Sequence, residues 1–258
     1  MSEILQHRED GILTLTFNRL EKKNAITAAM YNALADAMFA AAEDDAVRVV
    51  VLQGHEQVFT AGNDLADFLK NPPDMSKSDA EPAPVVRFLE ALRTFPKPLL
   101  AAVAGPAVGI GTTLLLHCDL VYAADNAAFS LPFVNLGLCP EAGASLLLPA
   151  LLGYQRAAEK LMLGEPFYAE EAVEMGLVNR LLPPGEVNAY TQAQAAKLAA
   201  KPMASLTATK ALMKKGQVGL QQIMGDEIKL FGALLRGPAA KEAISAVMEK
   251  RKPDFSKC

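Results

Sequence analysis

The fold is decided by the stretch AVAGPAVGIGTTLLL, which occupies residues 102–116. Its first residues are typical of a buried strand, a Gly-Pro turn follows, and an apolar helical run begins at Gly109. The first N–H groups of such a helix lack intrahelical acceptors, and the helix dipole adds positive potential there. The turn therefore favours developing negative charge, and Gly109 and Gly111 let a carbonyl approach the backbone. The same pattern is also typical of a plain strand-to-helix turn in an α/β core.

A second turn lies earlier in the chain. Residues 58–65 read VFTAGNDL and follow the apolar strand pattern of residues 47–52. Ala61 stands beside a glycine on this turn, where a backbone N–H can point into a cleft instead of joining a strand ladder. The sequence therefore predicts a second N–H donor at Ala61.

Together the two turns resemble the crotonase superfamily of enoyl-CoA hydratases and isomerases. The first family signature is an aromatic residue, two small residues, Gly, any residue, Asp and an apolar residue, and it matches residues 59–65. The second is a glycine-rich turn that opens an apolar helix and ends in Cys-Asp, and it matches residues 105–119. The resemblance runs from Phe17 to the basic tail. One departure is Ile110, which replaces the middle glycine of the family's usual three.

The resemblance implies an α/β fold, a crotonase-like spiral of ββα turns that forms two roughly perpendicular sheets. A C-terminal helical trimerisation region follows, so we divide the chain into a core with the acyl-CoA site, residues 1–198, and a helical region, residues 199–258. In the family, one N–H from each turn holds the thioester oxygen of an acyl-CoA, and by position these are Ala61 and Ile110. We expect a helical φ at Ile110, because a branched side chain is strained at positive φ.

The catalytic acids separate the chemistries of this family. Its hydratases use two glutamates, and the corresponding positions here are Thr113 and Phe133, neither of which is a general base near neutral pH. A different carboxylate, Glu141, follows Pro140 as in the Δ3,Δ2-enoyl-CoA isomerases, in which that glutamate is the acid/base. One carboxylate can remove a proton at C2 and return it at C4. The alternative is that Glu141 only caps the helix that follows.

Our functional prediction is an enoyl-CoA isomerase of fatty-acid β-oxidation that moves a double bond from position 3 to position 2. Three alternatives remain open: an enoyl-CoA hydratase, a ring-modifying acyl-CoA enzyme that uses Glu141 or Asp64 differently, and a non-catalytic acyl-CoA-binding or RNA-binding relative. Asp64 is expected to cap the turn after it and to orient Ala61.

CoA is polyanionic, so its binding requires a local basic patch. Arg19, Lys22 and Lys23 offer one patch, and residues 250–252 offer another. The resemblance also places a set of turn residues at the thioester, namely Gly62, Asn63, Asp64, Leu65 and Gly109. We expect no cofactor beyond the CoA of the substrate. The sequence holds no metal-ligand spacing and no dinucleotide fingerprint.

Composition excludes several other classes of protein. The chain has 258 residues and a net charge of −4 with mixed signs, which argues against a nucleic-acid binder. No apolar run reaches the roughly 18 residues of a membrane span. The N-terminal residues lack the basic and apolar pattern of a secretory leader, and the three cysteines show no pairing. We therefore expect a reduced, cytoplasmic protein. The histidines, His7, His55 and His117, have no nucleophile at a recognisable spacing and are expected to be surface or core residues.

Periodicity predicts the order of the elements. We expect a strand over 12–17, a helix capped by Thr27 that ends near Asp44, and a strand over 47–52 parallel to the first. A polar loop between Asn71 and Pro84 is expected to be mobile, either as an acyl-chain cover or as a surface insertion. The sequence further predicts a helix over 85–94, a strand over 120–124, an extended segment over 129–136, helices from 143 onward and a brief strand over 178–182.

The C-terminal third is expected to mediate self-association. It is almost wholly helical and carries the apolar residues Ile228, Phe231, Leu234 and Leu235. We expect these residues to bury a large interface and to produce a homotrimer or a dimer of trimers.

Overall fold

A computed structural model describes residues 2–70 and 82–258 of the chain. Most of the loop expected between Asn71 and Pro84 lies outside the described residues. Pro84 itself is the first residue of a helix. In the described part, no helix is long and apolar enough to cross a membrane.

The first half of the chain alternates strands with helices. The elements are β1 (Ile4–Glu9), β2 (Ile12–Phe17), α1 (Ala28–Glu43), β3 (Val49–Gln53), α2 (Leu65–Lys70), α3 (Pro84–Thr94), β4 (Leu99–Val103), β5 (Pro106–Val108), α4 (Ile110–Thr113), β6 (Leu120–Ala124) and β7 (Ala128–Ser130). Short 3₁₀ helices occupy Leu20–Lys22, Leu114–His117 and Val134–Leu136.

The second half is mainly helical, as predicted. Its elements are α5 (Ala144–Leu152), α6 (Tyr154–Leu163), β8 (Phe167–Tyr168), α7 (Ala169–Glu174), β9 (Arg180–Leu182), α8 (Val187–Ala199), α9 (Met203–Lys214), α10 (Leu220–Leu235) and α11 (Pro238–Met248), followed by a 3₁₀ turn at Phe255–Lys257. The two-residue strand β8 was not predicted from the sequence.

Two sheets organise the core. The larger has the strand order β1-β2-β3-β4-β6-β9, in which β1 pairs with β2 antiparallel and every later pair is parallel. The smaller has the order β5-β7-β8. Strand β4 is buried along its whole length, which explains its continuous apolar sequence. The predicted α/β class with C-terminal helices is therefore confirmed.

Helix α1 forms where the sequence predicts it and packs against α3. The Thr27 side chain accepts a hydrogen bond from the Met30 N–H at 3.3 Å, which satisfies one of the free N–H groups of the first turn. The buried face carries the predicted residues Met30, Leu34, Ala37 and Met38, and also Tyr31, which the prediction left out. Tyr31 faces the site described below.

Two segments differ from the sequence prediction in shape. The helical run expected from Gly109 is an α-helix over only Ile110–Thr113 and then tightens into the 3₁₀ turn that ends at His117. The extended segment expected over 129–136 ends at Ser130, and a 3₁₀ turn follows Pro132. Both changes shorten regular structure where the chain turns around the site.

Of the four C-terminal residues expected to form an interface, Phe231 is buried inside the chain, and the other three are partly buried against the core. Phe231 is 4% exposed, and Ile228, Leu234 and Leu235 pack against the core cluster. The buried residues of α10 recur at helical spacing, at Leu220, Met224, Glu227 and Phe231. That spacing places all four residues on one helix stripe, so Phe231 is turned toward the core by the same pattern that buries Leu220.

Candidate active site

The two predicted turns interlock at close range. Thr60 and Ala107 form a parallel bridge, and the Val108 N–H donates to the Thr60 carbonyl at 3.1 Å. A Cβ on Gly62 would lie 2.6 Å from the Val108 carbonyl oxygen, and one on Gly111 would lie 2.5 Å from Cγ2 of Thr60. These two glycines therefore allow the turns to touch, which any larger side chain would prevent.

Ile110 keeps its backbone donor available. The positive φ of the turn, +56°, belongs to Gly109, whereas Ile110 is the first helical residue of α4, so its predicted helical φ is confirmed. As the first residue of a helix it has no intrahelical acceptor for its N–H. Ile110 lines a cavity of about 150 Å³ together with Gly109.

The prediction that Ala61 supplies the second donor is wrong. The Ala61 N–H donates to the Lys23 carbonyl oxygen at 2.9 Å, so it serves the fold and is not free for a ligand. Residue spacing could not show this, because the acceptor lies on a different loop.

Asn63, two residues later, offers the free backbone N–H. Its neighbours pair with Ile26: the Ile26 N–H donates to the Gly62 carbonyl, and the Asp64 N–H donates to the Ile26 carbonyl. Because successive backbone groups of an extended segment alternate in direction, the Asn63 N–H is turned away from Ile26. Within residues 2–70 and 82–258 no acceptor is hydrogen-bonded to it. Asn63 lines the same cavity as Ile110.

Glu141 is the buried carboxylate of the site. It is 6% exposed, its Oε1 accepts a hydrogen bond from Thr113 Oγ1 at 2.5 Å, and its Oε2 has no partner among the described residues. Burial raises the pKa of Glu141 to about 8, the negative charge of Glu227 adds to the shift, and the Thr113 hydrogen bond opposes it. The carboxyl group is therefore protonated over more of the pH range than an exposed glutamate is.

The alternative in which Glu141 merely caps a helix is overturned. Glu227 from α10 caps α5, because its carboxylate accepts from the Gly143 N–H at 2.6 Å and from the Ser145 N–H at 2.9 Å. The Ser145 hydroxyl donates to the same carboxylate at 2.5 Å. The side chain of Glu141 is consequently free of any capping task.

Two neighbouring cavities meet at shared walls. The larger contains Asn63 and Ile110, and the smaller, of about 20 Å³, contains Glu141. Asn63, Phe68 and Phe231 line both, and the rings of Phe68 and Phe231 lie edge to face with centroids 6.3 Å apart. Apolar residues complete the smaller cavity, namely Val85, Val86, Leu89 and Ile228. The residues with free N–H groups and the basic carboxylate thus line two adjacent cavities that share three wall residues.

Tyr31 holds the side chain of Asn63. Its hydroxyl donates to Asn63 Oδ1 at 2.5 Å. Burial and the nearby charge of Glu141 hold the pKa of Tyr31 well above its ordinary value, so the phenol stays a donor. This contact fixes a residue that lines both cavities and whose backbone N–H has no acceptor among the described residues.

The prediction that Arg19 belongs to a basic patch available to CoA is wrong. Its guanidinium is paired with Asp64 at 2.7 Å and with Glu3 at 2.9 Å, and it is largely buried. Lys22 and Lys23 are exposed and line neither cavity. The residues of the second predicted patch, 250–252, are exposed as well, and among them Arg251 is paired with Glu242 and Glu249.

Asp64 plays the predicted capping role. Its Oδ1 accepts from the N–H groups of Ala66 and Asp67, each at 3.0 Å, at the start of α2. Burial opposes ionisation, but hydrogen bonds from Arg19 and from these N–H groups hold the pKa of Asp64 below its ordinary value. Asp64 lines neither cavity, whereas the predicted site residues Gly62 and Leu65 line the larger one.

The histidines behave as expected. His7 and His55 are exposed, and His117 is buried with Nε2 2.7 Å from the Ala142 carbonyl oxygen. Burial lowers the pKa of His117 to about 4, so the ring is neutral near pH 7 and its Nε2–H donates to that carbonyl. No group of three metal-ligating side chains occurs in the part of the chain that the structure describes.

Sequence reasoning missed Tyr31 and Glu227. A signal for Glu227 existed, since it falls on the apolar stripe of α10 between Met224 and Phe231, where an acid needs a buried partner. Tyr31 has a weaker signal, because a tyrosine on a buried helix face needs a partner for its hydroxyl.

Comparison with known proteins identifies a family. The enoyl-CoA hydratase/isomerase family model matches residues 7–257. The 2,3-dehydroadipyl-CoA hydratase of Escherichia coli is 36% identical over 256 residues, which cover 99% of this chain and 99% of the relative. Enoyl-CoA delta isomerase 2 of Rattus norvegicus is 40% identical over 215 residues, which cover 83% of this chain and 55% of the relative. The solved structure of Pseudomonas aeruginosa OdaA has a TM-score of 0.91 and 47% identity, covering 96% of this chain and 99% of that chain.

The contact between the two turns yields a prediction. Gly111→Ala would drive a methyl group into Thr60 and push apart the segments that carry Asn63 and Ile110. We expect turnover of enoyl-CoA thioesters to fall by about 100-fold, the typical effect of losing one oxyanion donor, with the fold retained. The matched control is Gly216→Ala, where an added Cβ meets nothing within 4 Å. Equal turnover in the two variants, measured by steady-state kinetics, would contradict the interlock.

Proposed function

The chain belongs to the enoyl-CoA hydratase/isomerase family, and we propose that within it the protein is an isomerase that moves the double bond of an enoyl-CoA from position 3 to position 2. The predicted crotonase resemblance is confirmed by the family match and by the fold of the solved relatives. One observation carries the finer proposal: among the described residues that line the two adjacent cavities, Glu141 of the smaller one is the only carboxylate, and positions 113 and 133 hold Thr and Phe.

The proposed reaction is a proton transfer in two steps. Glu141 Oε2 removes a proton from C2 of the 3-enoyl thioester, and the electron pair delocalises to give a dienolate with its charge on the thioester oxygen. The N–H groups of Asn63 and Ile110 stabilise that oxyanion. Glu141 then returns the proton to C4, which leaves the double bond between C2 and C3. Substrate and product are isomers, so no water or cofactor is consumed.

The environment of Glu141 suits both steps. A base with a pKa near the working pH balances the ability to take a proton against the ability to return it, and the pKa of Glu141 is raised to about 8. The Thr113 hydroxyl occupies Oε1, which leaves Oε2 as the reacting atom. Asn63 lines both cavities, so we place the thioester of a bound substrate in the larger cavity and its acyl carbons in the smaller one, beside Glu141.

The relatives support both the proposal and its alternative. The rat relative bears the name of an enoyl-CoA delta isomerase but spans about twice the length of the match, whereas the Escherichia coli relative matched end to end is named a hydratase. A hydratase must hold a water opposite C3 and supply a proton at C2. Phe133 is buried and lines the larger cavity, where it offers no group for either task.

The ratio of two rates tests the proposal. We expect the protein to isomerise a 3-enoyl-CoA at least about 100-fold faster than it hydrates crotonyl-CoA, since one of the two acid/base groups needed for hydration is absent. Steady-state assays on the two thioesters, run with the same preparation, give the ratio. Hydration as fast as isomerisation would overturn the choice of isomerase.

The pH profile provides a second test. Glu141 acts as a base only when ionised, so kcat/KM should fall about tenfold per pH unit below a pKa of about 8. Thr113→Val removes a hydrogen bond that stabilises the carboxylate, and the acidic limb should therefore move to higher pH. Thr113→Ser keeps a hydroxyl donor and is the matched control. An unchanged limb in the valine variant would show that a different group titrates.

We also propose that the protein assembles as a homotrimer or a dimer of trimers. Large apolar side chains remain exposed on the single chain, and they include Leu212, Met213, Val218, Val247 and Met248 of the C-terminal region. Exposed apolar surface of this kind is typical of subunit interfaces. Sedimentation equilibrium should give a mass at least three times that of the chain, and a monomer at micromolar concentration would exclude the assembly.

A further inference from the structure

Glu141 is followed by two residues in the left-handed region. The φ angles are +61° at Ala142 and +73° at Gly143, and Ala142 is one of the few non-glycine residues at positive φ in the described chain. Alanine rarely adopts this conformation, which persists only where surrounding contacts hold it. The direction of the Glu141 side chain therefore depends on what holds this turn.

Contacts from two distant segments hold it. The Nε2–H of His117 donates to the Ala142 carbonyl at 2.7 Å. Glu227 accepts hydrogen bonds from the Gly143 N–H, the Ser145 N–H and the Ser145 hydroxyl. The hydrogen bond between Gly143 and Glu227 joins residues 84 positions apart, so helix α10 contacts the turn that follows Glu141.

Glu227 is suited to this task by its charge. It is 7% exposed, and every group within hydrogen-bond distance of its carboxylate oxygens is a donor. Three donors on two oxygens satisfy an ionised carboxylate. A carboxylate also complements the dipole at the start of α5, which no side chain of α5 itself caps.

We propose that Glu227 is a positioning residue for the reaction. Glu227 holds the turn after Glu141 so that Oε2 of Glu141 faces the substrate. The Glu227 carboxylate also caps the N-terminus of α5, which would otherwise weaken Glu141 as a base. The inference rests on the proposed role of Glu141 as acid/base. It assigns to the C-terminal helical region a direct part in setting up the catalytic group, in addition to its part in lining the cavity.

The electrostatic part follows from the groups around Glu141. The Glu141 carboxylate interacts electrostatically with Glu227 of α10, Tyr31 of α1 and the Cys139 thiol, and it accepts a hydrogen bond from Thr113 of α4. An uncapped N-terminus of α5 would favour the ionised form of Glu141 and lower its pKa. The negative charge of Glu227 cancels that effect and raises the pKa further. Loss of the charge at position 227 should therefore lower the pKa of Glu141.

Glu227→Gln tests both parts of the proposal. Glutamine keeps the shape but presents an NH₂ group where a second acceptor is needed, so the Gly143 and Ser145 donors cannot all be satisfied. We expect kcat to fall about 10- to 100-fold, as for small misplacements of a catalytic group, with KM within about twofold of the unmodified protein. The acidic limb of the kcat profile should move to lower pH. A purely structural role would not move that limb.

The neighbouring residue supplies the matched control. Asp226 is exposed, and its carboxylate accepts hydrogen bonds from Gln222 and lies 3.9 Å from the Lys229 ammonium, so Asp226→Asn removes one charge from the same helix and no hydrogen bond to the turn. We expect its kcat and pH profile to match those of the unmodified protein. Circular dichroism and thermal unfolding of each variant report whether the fold is intact.

A milder variant decides the outcome if Glu227→Gln does not fold. Ser145→Ala removes one of the three donors to Glu227 and should lower kcat several-fold with unchanged KM. Glu141→Gln is assayed in parallel. If Glu141→Gln is inactive while both Ser145→Ala and a folded Glu227→Gln retain kcat and the acidic limb, the positioning role is wrong. If Glu227→Gln does not fold, unchanged kcat in Ser145→Ala overturns it. If Glu141→Gln keeps its turnover, the proposed function itself fails.

Discussion

The site depends on burying one carboxylate that keeps a free oxygen. Moving a charged carboxylate out of water costs several kcal/mol unless partners replace the lost hydration, and a protein normally supplies those partners. At Glu141 only part of the lost hydration is replaced, because Thr113 donates a hydrogen bond to Oε1 and Oε2 has no partner among the described residues. The result is a carboxyl group whose pKa is raised to about 8, with one unsatisfied oxygen, on a residue that lines an apolar cavity. Much of the surrounding structure serves to maintain that arrangement.

The two interlocked turns solve the complementary problem of holding a negative oxygen. Gly62 and Gly111 let the two turns approach so closely that an added Cβ at either position would collide with the other turn. Ile26 is hydrogen-bonded to both neighbours of Asn63, which leaves the Asn63 N–H free. These donors belong to rigid backbone, so little reorganisation is needed when charge develops on a bound thioester. Base and donors then meet through a shared wall, where α10 contributes Phe231 and also the carboxylate of Glu227.

Sequence reasoning recovered what local patterns encode. The strand and turn before Gly109, the Thr27 cap and the glutamate after Pro140 are short-range features that lie where the sequence predicts them, whereas the helix after Gly109 starts as predicted but is shorter. It failed where the answer depends on distant partners. Which N–H of the second turn is free depends on Lys23 and Ile26, and the pairing of Arg19 with Asp64 spans 45 positions. Neither contact can be predicted from the residue spacing within either segment.

The central claim is that one buried carboxylate carries a proton from C2 to C4, and an isotope experiment tests it most directly. Because Oε2 of Glu141 is shielded from solvent, a deuteron taken from C2 should exchange slowly with water. The protein is supplied with a 3-enoyl-CoA carrying deuterium at C2, in ordinary water, and the product is analysed by mass spectrometry early in the reaction. We predict that a measurable share of the deuterium appears at C4. Product whose C4 hydrogen comes entirely from water would contradict a single shielded base.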